Sequence, residues 1–322
     1  MTDIRLGYAC INMELQDKEG VQCSRGMIKR TFTQKGLPWA SELALKNVTD
    51  LCRVIEWNNH RGIKAFRITS CLFPWGSEYE LEQLPDFEQI AQMLARAGRR
   101  ARDGGQRLSF HPGPFNILTS PKEGVVANSY KDLEMHGRIF DLMGMARDHW
   151  SKINIHIGAS YGDRDSAIDR WCRNFEGLSD AVKSRLTVEN DDRPNLYSTK
   201  MLYEGIYKRM SVPVVFDSLH HQCGPQDVSH EEALGMAVET WPKGIRPVCH
   251  HSNSRLKHEG EGTINSHTDW YYEPFEAHGH GVDVMLESKM KERALFRYEQ
   301  EFGGDVCQKA LTTSSMNSIA TI

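Results

Sequence analysis

The sequence of 322 residues predicts a single parallel (β/α)8 barrel. Three observations support this prediction. Eight short apolar runs recur along the chain, helical patterns lie between many of them, and most of the runs end in a residue that can bind metal. The runs begin near residues 4, 65, 107, 152, 185, 213, 246 and 283. Because the strands of such a barrel all end on one face, the polar residues are expected to surround one pocket.

The first two strands and their helices follow this pattern. The run IRLGY ends at Tyr8, and residues 13–40 after it are predicted to form a long first loop with a Pro-Trp turn. Residues 41–59 then carry apolar side chains at helical spacing. The second run, AFRITS, covers 65–70, and a second helical pattern at 87–104 stops at a pair of glycines.

The later runs end in imidazole or carboxylate side chains. These closing residues are His111, His156, Glu189, Asp217 with His220, His250 and Glu287. No GxGxxG turn follows any of the runs, which disfavours the alternative of a doubly wound open sheet. We expect residues 1–302 to form the barrel domain and residues 303–322, which are small and polar, to form a flexible tail.

Composition places few limits on the partner. The chain is 39% hydrophobic and 25% charged, as in soluble globular proteins, and its net charge is −4. Such a charge argues mildly against nucleic acid, but bound metal ions reverse the sign of a carboxylate-lined site. No apolar run approaches the ~20 residues of a membrane helix. With no signal-peptide pattern at the start, we expect an intracellular, cytoplasmic protein without a nucleotide cofactor.

The closing residues indicate metal chemistry. Imidazole and carboxylate together suit zinc, manganese or iron better than calcium. Seven such groups exceed the needs of one four-coordinate ion, so a cluster of two or three ions is predicted, with Glu189 as a candidate bridge. Two ions roughly 3.5–4 Å apart can activate water and stabilise the leaving oxygen of a phosphodiester. Metal-dependent phosphodiester hydrolysis is therefore the first activity to consider.

Other histidines have different predicted places. His267, in the loop after the seventh run, is a further candidate ligand, and His221 is expected to support the ligands from outside. His278 and His280 precede the last run, which puts them away from the pocket. Five further histidines are expected at the surface: His60, His136, His149, His230 and His258.

Seven segments in order resemble the motifs of the UV damage endonuclease family: IRLGYACIN, FRITSCLFPWGS, LSFHPG, HIGASYG, TVENDD, FDSLHH and DVMLESKMKE. The resemblance covers roughly residues 4–293. It implies a barrel enzyme that nicks damaged double-stranded DNA immediately 5′ to cyclobutane dimers and 6–4 photoproducts. It also implies a divalent metal cluster, typically manganese, with zinc or magnesium as alternatives. We expect such an enzyme to act as a monomer.

The resemblance also implies roles for individual residues. The implied metal ligands are His111, His156, Glu189, Asp217, His220, His250, His267 and Glu287. The residues implied to take part in catalysis are Glu189, His250, Lys289 and Tyr8. Contacts with DNA or the lesion are expected from Tyr8, Asn12, Pro114, Phe115 and Arg67.

Two alternatives stay open, and departures from the family pattern motivate the second of them. Val248 stands where the family commonly has a lysine that is carboxylated in at least one member, and Pro114 replaces a glutamine that probes the duplex. Phe115 keeps the aromatic face beside it. One alternative is a sugar isomerase or epimerase, which uses a similar barrel and metal site. The other is a relative that binds damaged DNA but has weakened catalysis.

Overall fold

The computed structural model describes residues 3–303 and shows a closed barrel of eight parallel strands that pair in chain order. The strands are β1 Ile4–Ala9, β2 Ala65–Ile68, β3 Arg107–Phe110, β4 Ile153–His156, β5 Leu186–Glu189, β6 Val214–Asp217, β7 Val248–His251 and β8 Val282–Leu286. β8 pairs with β1 from Ile4↔Val282 to Tyr8↔Leu286, which closes the barrel. The predicted fold class and all eight predicted strands are confirmed.

Helices connect most of the strands on the outside of the barrel. They are α1 Met13–Glu19, α2 Lys29–His60, α3 Phe87–Asp103, α4 Glu123–Leu142, α5 Arg164–Glu176, α6 Asp180–Lys183, α7 Thr199–Leu202, α8 Lys208–Met210, α9 Ser218–Cys223, α10 His230–Glu239, α11 Arg255–Glu259 and α12 Lys291–Phe302. A π-helical turn, Tyr203–Tyr207, joins α7 to α8. After α11, residues 260–281 reach β8 without a further helix. Within residues 3–303, no helix is both long enough and apolar enough to span a membrane.

The prediction of a long loop at residues 13–40 is wrong. Asn12 starts α1 by accepting a hydrogen bond from the amide of Leu15 at 2.8 Å, and α2 already begins at Lys29. Within α2 the chain bends at Gly36, whose φ of 60° is not helical. Pro38 follows in the first turn after this bend, where its missing N–H breaks no helical hydrogen bond. Of the predicted tail, only Gly303 lies within the described residues.

The core lies between the strands and the surrounding helices. α2 and α3 pack side by side, with Leu51, Ile55 and Leu94 fully buried. Gly98 of α3 lies directly against the backbone of Met143, where an added Cβ would come within 1.8 Å of the carbonyl oxygen. This close approach requires glycine and fixes α3 against the end of α4.

The lower end of the barrel, where the strands begin, contains a buried ion cluster. Asp283 of β8 accepts from Arg5 at 2.7 Å and from Arg107 at 3.0 Å, and it pairs with Arg246 at 3.0 Å. Arg107 also donates to the backbone carbonyl of Trp150 at 2.9 Å. Both carboxylate oxygens therefore have guanidinium partners from this chain, and the lower end needs no bound ion.

Candidate metal centre

The upper ends of β3 to β8 bring together seven of the eight predicted metal ligands. Their nitrogen and oxygen atoms form three groups in which all candidate ligand atoms lie within 4.8 Å of one another. The groups are His111, His156 and Glu189; Glu189, Asp217 and His220; and Asp217, His250 and Glu287. Glu189 belongs to the first two groups and Asp217 to the last two. Shared carboxylates of this kind are the donors that bridge neighbouring ions in a cluster.

Glu189 lies at the middle of this arrangement and is fully buried. One carboxylate oxygen is 3.0 Å from Nε2 of His111 and 3.0 Å from Nδ1 of His250, and the other is 3.2 Å from Nδ1 of His220. Asn154 donates a hydrogen bond to the first oxygen. Burial favours the neutral acid, but the surrounding imidazoles, led by His250, hold the pKa of Glu189 well below its usual range. Glu189 is therefore a carboxylate in this site.

Three of the histidines have one ring nitrogen placed against a backbone carbonyl. The Nδ1–carbonyl distances are 3.3 Å for His111, 3.0 Å for His220 and 2.8 Å for His267. A ring that donates its Nδ1–H to a carbonyl keeps a free lone pair on Nε2. This arrangement fixes the ring orientation and tautomer of metal-binding histidines. These contacts therefore hold the three rings in fixed orientations at the cluster.

The contact between His111 and Glu189 is favourable for a bound cation. With the Nδ1–H of His111 directed at a carbonyl, its Nε2 lone pair faces a carboxylate oxygen at 3.0 Å. Two acceptors at this distance repel unless a proton or a metal ion lies between them. Burial lowers the pKa of His111 to about 4, although Glu189 opposes this shift, so the proton is absent near neutral pH. The pair therefore suits a metal ion.

Buried atoms without a hydrogen-bond partner give a second test of the fit. Within the described chain these atoms include Oε1 of Glu189, Oδ2 of Asp217 and Nδ1 of His250. A buried polar atom without a partner costs roughly 1–3 kcal/mol, and more if it is charged. Three such atoms on three predicted ligands of one cluster match the donor types that a divalent cation binds. The residues present therefore fit the implied metal group.

The histidines of the cluster do not share one protonation tendency. Burial disfavours a charge on His156 and His220, but nearby carboxylates outweigh it and raise the pKa of both rings. Glu189 raises the pKa of both rings. Asp191 also raises the pKa of His156, and Asp217 raises that of His220. A divalent ion that binds these rings must displace their protons, so metal affinity is expected to fall in acid.

Lys152 supports the cluster from below and is missing from the sequence-based site. Its side chain is buried, with Nζ 3.3 Å from Nε2 of His250. Burial lowers the pKa of Lys152 to about 7. A neutral amine can accept the Nε2–H of His250, which leaves Nδ1 of that ring free toward Glu189 and Glu287. Lys152 directly precedes β4, and its amine contacts the ring of His250. Val248 lies two residues before His250 on β7.

Arg67, predicted to contact DNA, pairs with one of the predicted metal ligands. Its guanidinium forms a buried ion pair with Glu287, one of the predicted ligands. Burial disfavours its charge, but Glu287, Cys10 and Glu189 outweigh this and raise the pKa of Arg67. The guanidinium thus orients the Glu287 carboxylate, and the predicted contact of Arg67 with DNA stays a prediction.

Tyr8 and Asn12 are also buried rather than available to DNA. The hydroxyl of Tyr8 donates to Asn58 of α2 at 2.7 Å and accepts from Asn12 at 2.9 Å. Burial raises the pKa of Tyr8 well above its ordinary value. Side chains alternate along a strand, and Gly7 and Ala9 take the inner positions, so Tyr8 points outward to α2. The expected contacts of Tyr8 and Asn12 with DNA, and a catalytic role for Tyr8, do not fit this burial.

The remaining predicted residues lie at the rim. Pro114 and Phe115 are exposed after β3, and the side chain of Phe115 is 83% exposed. Lys289 is exposed after β8. Lys291, and not Lys289, interacts electrostatically with Glu287 and Arg67. Burial lowers the pKa of Lys291. A role for Lys289 in catalysis stays a prediction.

The seventh strand carries two adjacent histidines, and only one faces the cluster. His251 has Nδ1 2.7 Å from the hydroxyl of Ser218 and Nε2 3.1 Å from the carbonyl of Glu273, so both of its nitrogens are used. His250 is therefore the ligand of β7. Of the histidines predicted at the surface, His136 is buried, with Nδ1 2.7 Å from the carbonyl of Asp132. His149, His230 and His258 are half-buried.

A closed parallel barrel with overlapping histidine and carboxylate groups at the upper strand ends is typical of metal-using barrel enzymes. The sequence model of one family, UV-endonuclease UvdE, matches residues 4–313. The chain belongs to this UV-endonuclease family. The resemblance inferred from the motifs is confirmed.

Individual relatives agree with this assignment. The chain is 34% identical over 310 residues to the UV-damage endonuclease of Schizosaccharomyces pombe, covering 92% of this chain and 51% of that protein. It is 30% identical over 297 residues to the UV DNA damage endonuclease of Clostridium perfringens, with coverages of 90% and 68%. The crystal structure of SacUVDE superposes with a TM-score of 0.78 at 27% identity, covering 92% and 98%. The chain thus spans about half the length of the first of these relatives.

More distant structures share the fold alone. Endonuclease IV from Thermus thermophilus has a TM-score of 0.53 at 13% identity, covering 92% of this chain and 98% of that one. A D-psicose 3-epimerase has a TM-score of 0.51 at 15% identity, covering 74% and 78%. Because a nuclease and a sugar epimerase share this barrel, the fold by itself does not separate the two activities.

Proposed function

We propose that this chain is a metal-dependent endodeoxyribonuclease of DNA repair. It hydrolyses the phosphodiester immediately 5′ to UV photoproducts, namely cyclobutane dimers and 6–4 photoproducts. The single observation that carries the chemistry is the run of three ligand groups linked by Glu189 and Asp217. The substrate follows from the family and from the names of its relatives. The proposed partner is damaged double-stranded DNA, bound by a monomer inside the cell.

The proposed cofactor is a cluster of two or three divalent ions. The residues that would hold it are His111, His156, Glu189, Asp217, His220, His250 and Glu287, with His267 at the edge beside Glu287. Manganese is the expected metal, because mixed imidazole and carboxylate donors accept it, and zinc or magnesium are alternatives. When bound, such ions lower the pKa of water and stabilise the charge that develops on a phosphate.

The protein's own groups hold this donor set in place. Asn154 fixes the Glu189 carboxylate, and its own side-chain oxygen accepts from Thr187 at 2.8 Å. Asn190 accepts from the amide of Asp217 at 2.8 Å and donates to its carbonyl at 3.0 Å. These fixed contacts keep the ligands in one geometry before DNA arrives, which lowers the reorganisation needed during reaction.

The rim around the centre suits unpaired bases. Within residues 3–303 the exposed large apolar side chains are Ile11, Ile28, Phe115, Tyr161, Leu256, Ile264 and Tyr272. All seven lie in connections that leave the upper ends of β1, β3, β4 or β7. Apolar and aromatic side chains can stack on bases or wedge between them. Opening the duplex costs least at a lesion, where stacking and pairing are already weak.

The proposal is tested with a labelled duplex that carries one cyclobutane dimer. With manganese present, we expect a single nick immediately 5′ to the dimer, and no nick in the undamaged duplex or after chelation of the metal. Equal cutting of undamaged DNA, or no cutting at any metal concentration, would contradict it. Tight binding without cutting would favour the non-catalytic relative. Epimerisation of a ketohexose with no DNA binding would favour the sugar enzyme.

A further inference from the structure

A second group of histidines lies outside the barrel, against β6. His230, the first residue of α10, packs edge-on against Phe216 of β6, with 4.9 Å between ring centroids. His278 approaches it from the stretch that leads into β8, and the two rings lie 5.1 Å apart. None of these residues belongs to the central cluster. This group therefore needs its own explanation.

The donor atoms of this outer group point at one another. Nδ1 of His230 lies 3.0 Å from Nε2 of His278, and Oε2 of Glu276 lies 3.8 Å from the same Nε2. All three candidate ligand atoms fall within 4.8 Å of one another. Two nitrogens bound to one tetrahedral zinc ion at 2.0–2.1 Å are roughly 3.3 Å apart. The two rings thus need to separate by only a few tenths of an ångström to hold an ion.

The chemistry of the donors also suits a transition metal. Burial, with His221 and His278 nearby, lowers the pKa of His230 to about 4, so the ring is neutral near pH 7. Glu276 is exposed and can move toward the rings. Without an ion, one ring donates its N–H to the other. To bind an ion through the same nitrogen, the donor ring must carry its hydrogen on its other ring nitrogen, with no net loss of a proton. Two imidazoles and one carboxylate leave a fourth position for water, as in many three-ligand zinc sites.

We propose that His230, Glu276 and His278 form a second metal site, separate from the central cluster, for zinc or a similar nitrogen-preferring divalent ion. The site has a structural consequence. Residues 260–281 form no helix, and an ion held by Glu276 and His278 on one side and His230 on the other would attach this irregular stretch to α10. The proposed role is to stabilise the last connection of the barrel, independently of the reaction at its centre.

The test compares His278→Asn with His280→Asn in the full-length chain. His278 has a φ of 45°, and asparagine tolerates this left-handed conformation, so the change removes the ligand without new backbone strain. His280 lies two residues away and is not part of the group. Each protein is dialysed against the same low zinc concentration, and its bound zinc is measured by elemental analysis, with unfolding midpoints recorded in zinc and in chelator.

We expect His278→Asn to bind about one zinc ion fewer per chain than the wild type, and to gain less in unfolding midpoint from zinc. His280→Asn should match the wild type in both measurements, and His278→Asn should still incise damaged DNA with manganese. Equal zinc content in His278→Asn and wild type would overturn the proposal. An equal loss in both variants would also overturn it, because it would indicate unspecific binding by surface histidines.

Discussion

The two ends of the barrel both bury charged side chains, but they neutralise them with different partners. At the lower end, guanidinium groups from Arg5, Arg107 and Arg246 surround one carboxylate, Asp283. At the upper end, Glu189 is surrounded by imidazoles, and several donor atoms there have no hydrogen-bond partner. Arginine always carries its proton, whereas a neutral imidazole offers a lone pair. The lower cluster therefore neutralises its charges by itself, and the upper cluster offers lone pairs that could bind a cation.

The largest effect is expected from Glu189→Gln at the upper end. An amide cannot bridge two ions, so incision should fall on the order of 1,000-fold, equivalent to several kcal/mol of transition-state stabilisation. Single-turnover incision of a dimer-containing duplex measures this loss, with bound manganese counted in parallel. The exposed Glu204→Gln is the matched control. Near-normal incision by Glu189→Gln would contradict the proposed role of Glu189 as a metal ligand.

The corresponding change at the lower end, Asp283→Asn, should affect folding rather than metal binding. It leaves the buried guanidinium of Arg107 without its carboxylate, so the free energy of unfolding should fall by about 3–5 kcal/mol. Urea unfolding of the metal-free protein measures it. Asp169→Asn, which breaks the exposed pair with Arg209, should cost at most about 1 kcal/mol. A loss of bound manganese without a loss of stability would contradict the proposed division between the two ends.

Lys152→Met tests whether the upper cluster depends on support from below. Without the amine, the Nε2–H of His250 loses its partner, and manganese affinity should fall about 10- to 100-fold. Calorimetric titration with manganese measures this change. Lys289→Met applies the same substitution to an exposed lysine and should leave metal affinity unchanged. Equal affinities in the two variants would show that Lys152 does not position His250.

Phe115→Ala tests the rim of the upper end. Loss of one stacking ring should weaken binding to the damaged duplex by about 1–3 kcal/mol, while the unfolding midpoint stays unchanged because the side chain is 83% exposed. Fluorescence anisotropy with damaged and undamaged duplexes measures the difference. An equal loss for both duplexes would indicate general DNA contact instead of contact with the lesion.

The smallest effect near neutral pH is expected from His149→Gln at the lower end. Burial lowers the pKa of His149 from 6.5 to about 4. Its contribution to stability is therefore present above pH 6.5 and is lost as the pH falls toward 4, because the unfolded chain binds the proton more readily. The variant should show a shallower loss of stability in this range, measured in chelator. An unchanged pH profile would show that His149 does not titrate with folding.

The sequence-based prediction succeeded where local pattern and fold agree. Each strand is a short apolar run that ends in a polar residue. Because side chains alternate along a strand, that residue faces the pocket only if it occupies one of the inward-facing positions. His156 and Glu189 meet both conditions. Tyr8 meets only the first, because Gly7 and Ala9 hold the inward positions of β1. The same alternation places Asn154 and Lys152, two and four residues before His156, on the inward face. It would therefore have predicted both residues beneath the site.

Other features depend on long-range structure, which the sequence pattern does not record. Gly36 and Pro38 look like loop residues, but one bends α2 and the other starts its second part. Arg67 carries a charge suitable for phosphate, and its pairing with Glu287 joins residues 220 positions apart, which no local pattern records. Lys291 lies near Glu287 and Arg67 because the chain turns there to begin α12.

The ion cluster at the lower end also limits when the barrel can close during synthesis. Arg5 and Asp283 are 278 positions apart in the chain. At roughly 5–20 residues per second, a ribosome needs roughly 14–56 seconds to add the residues between them. Throughout that interval Arg5 has no carboxylate partner from β8, and β1 has an unpaired edge; Arg107 lacks this partner for the last 176 positions. Shorter nascent chains therefore gain nothing from the contact that stabilises the finished barrel, and closure has to wait for the last strand.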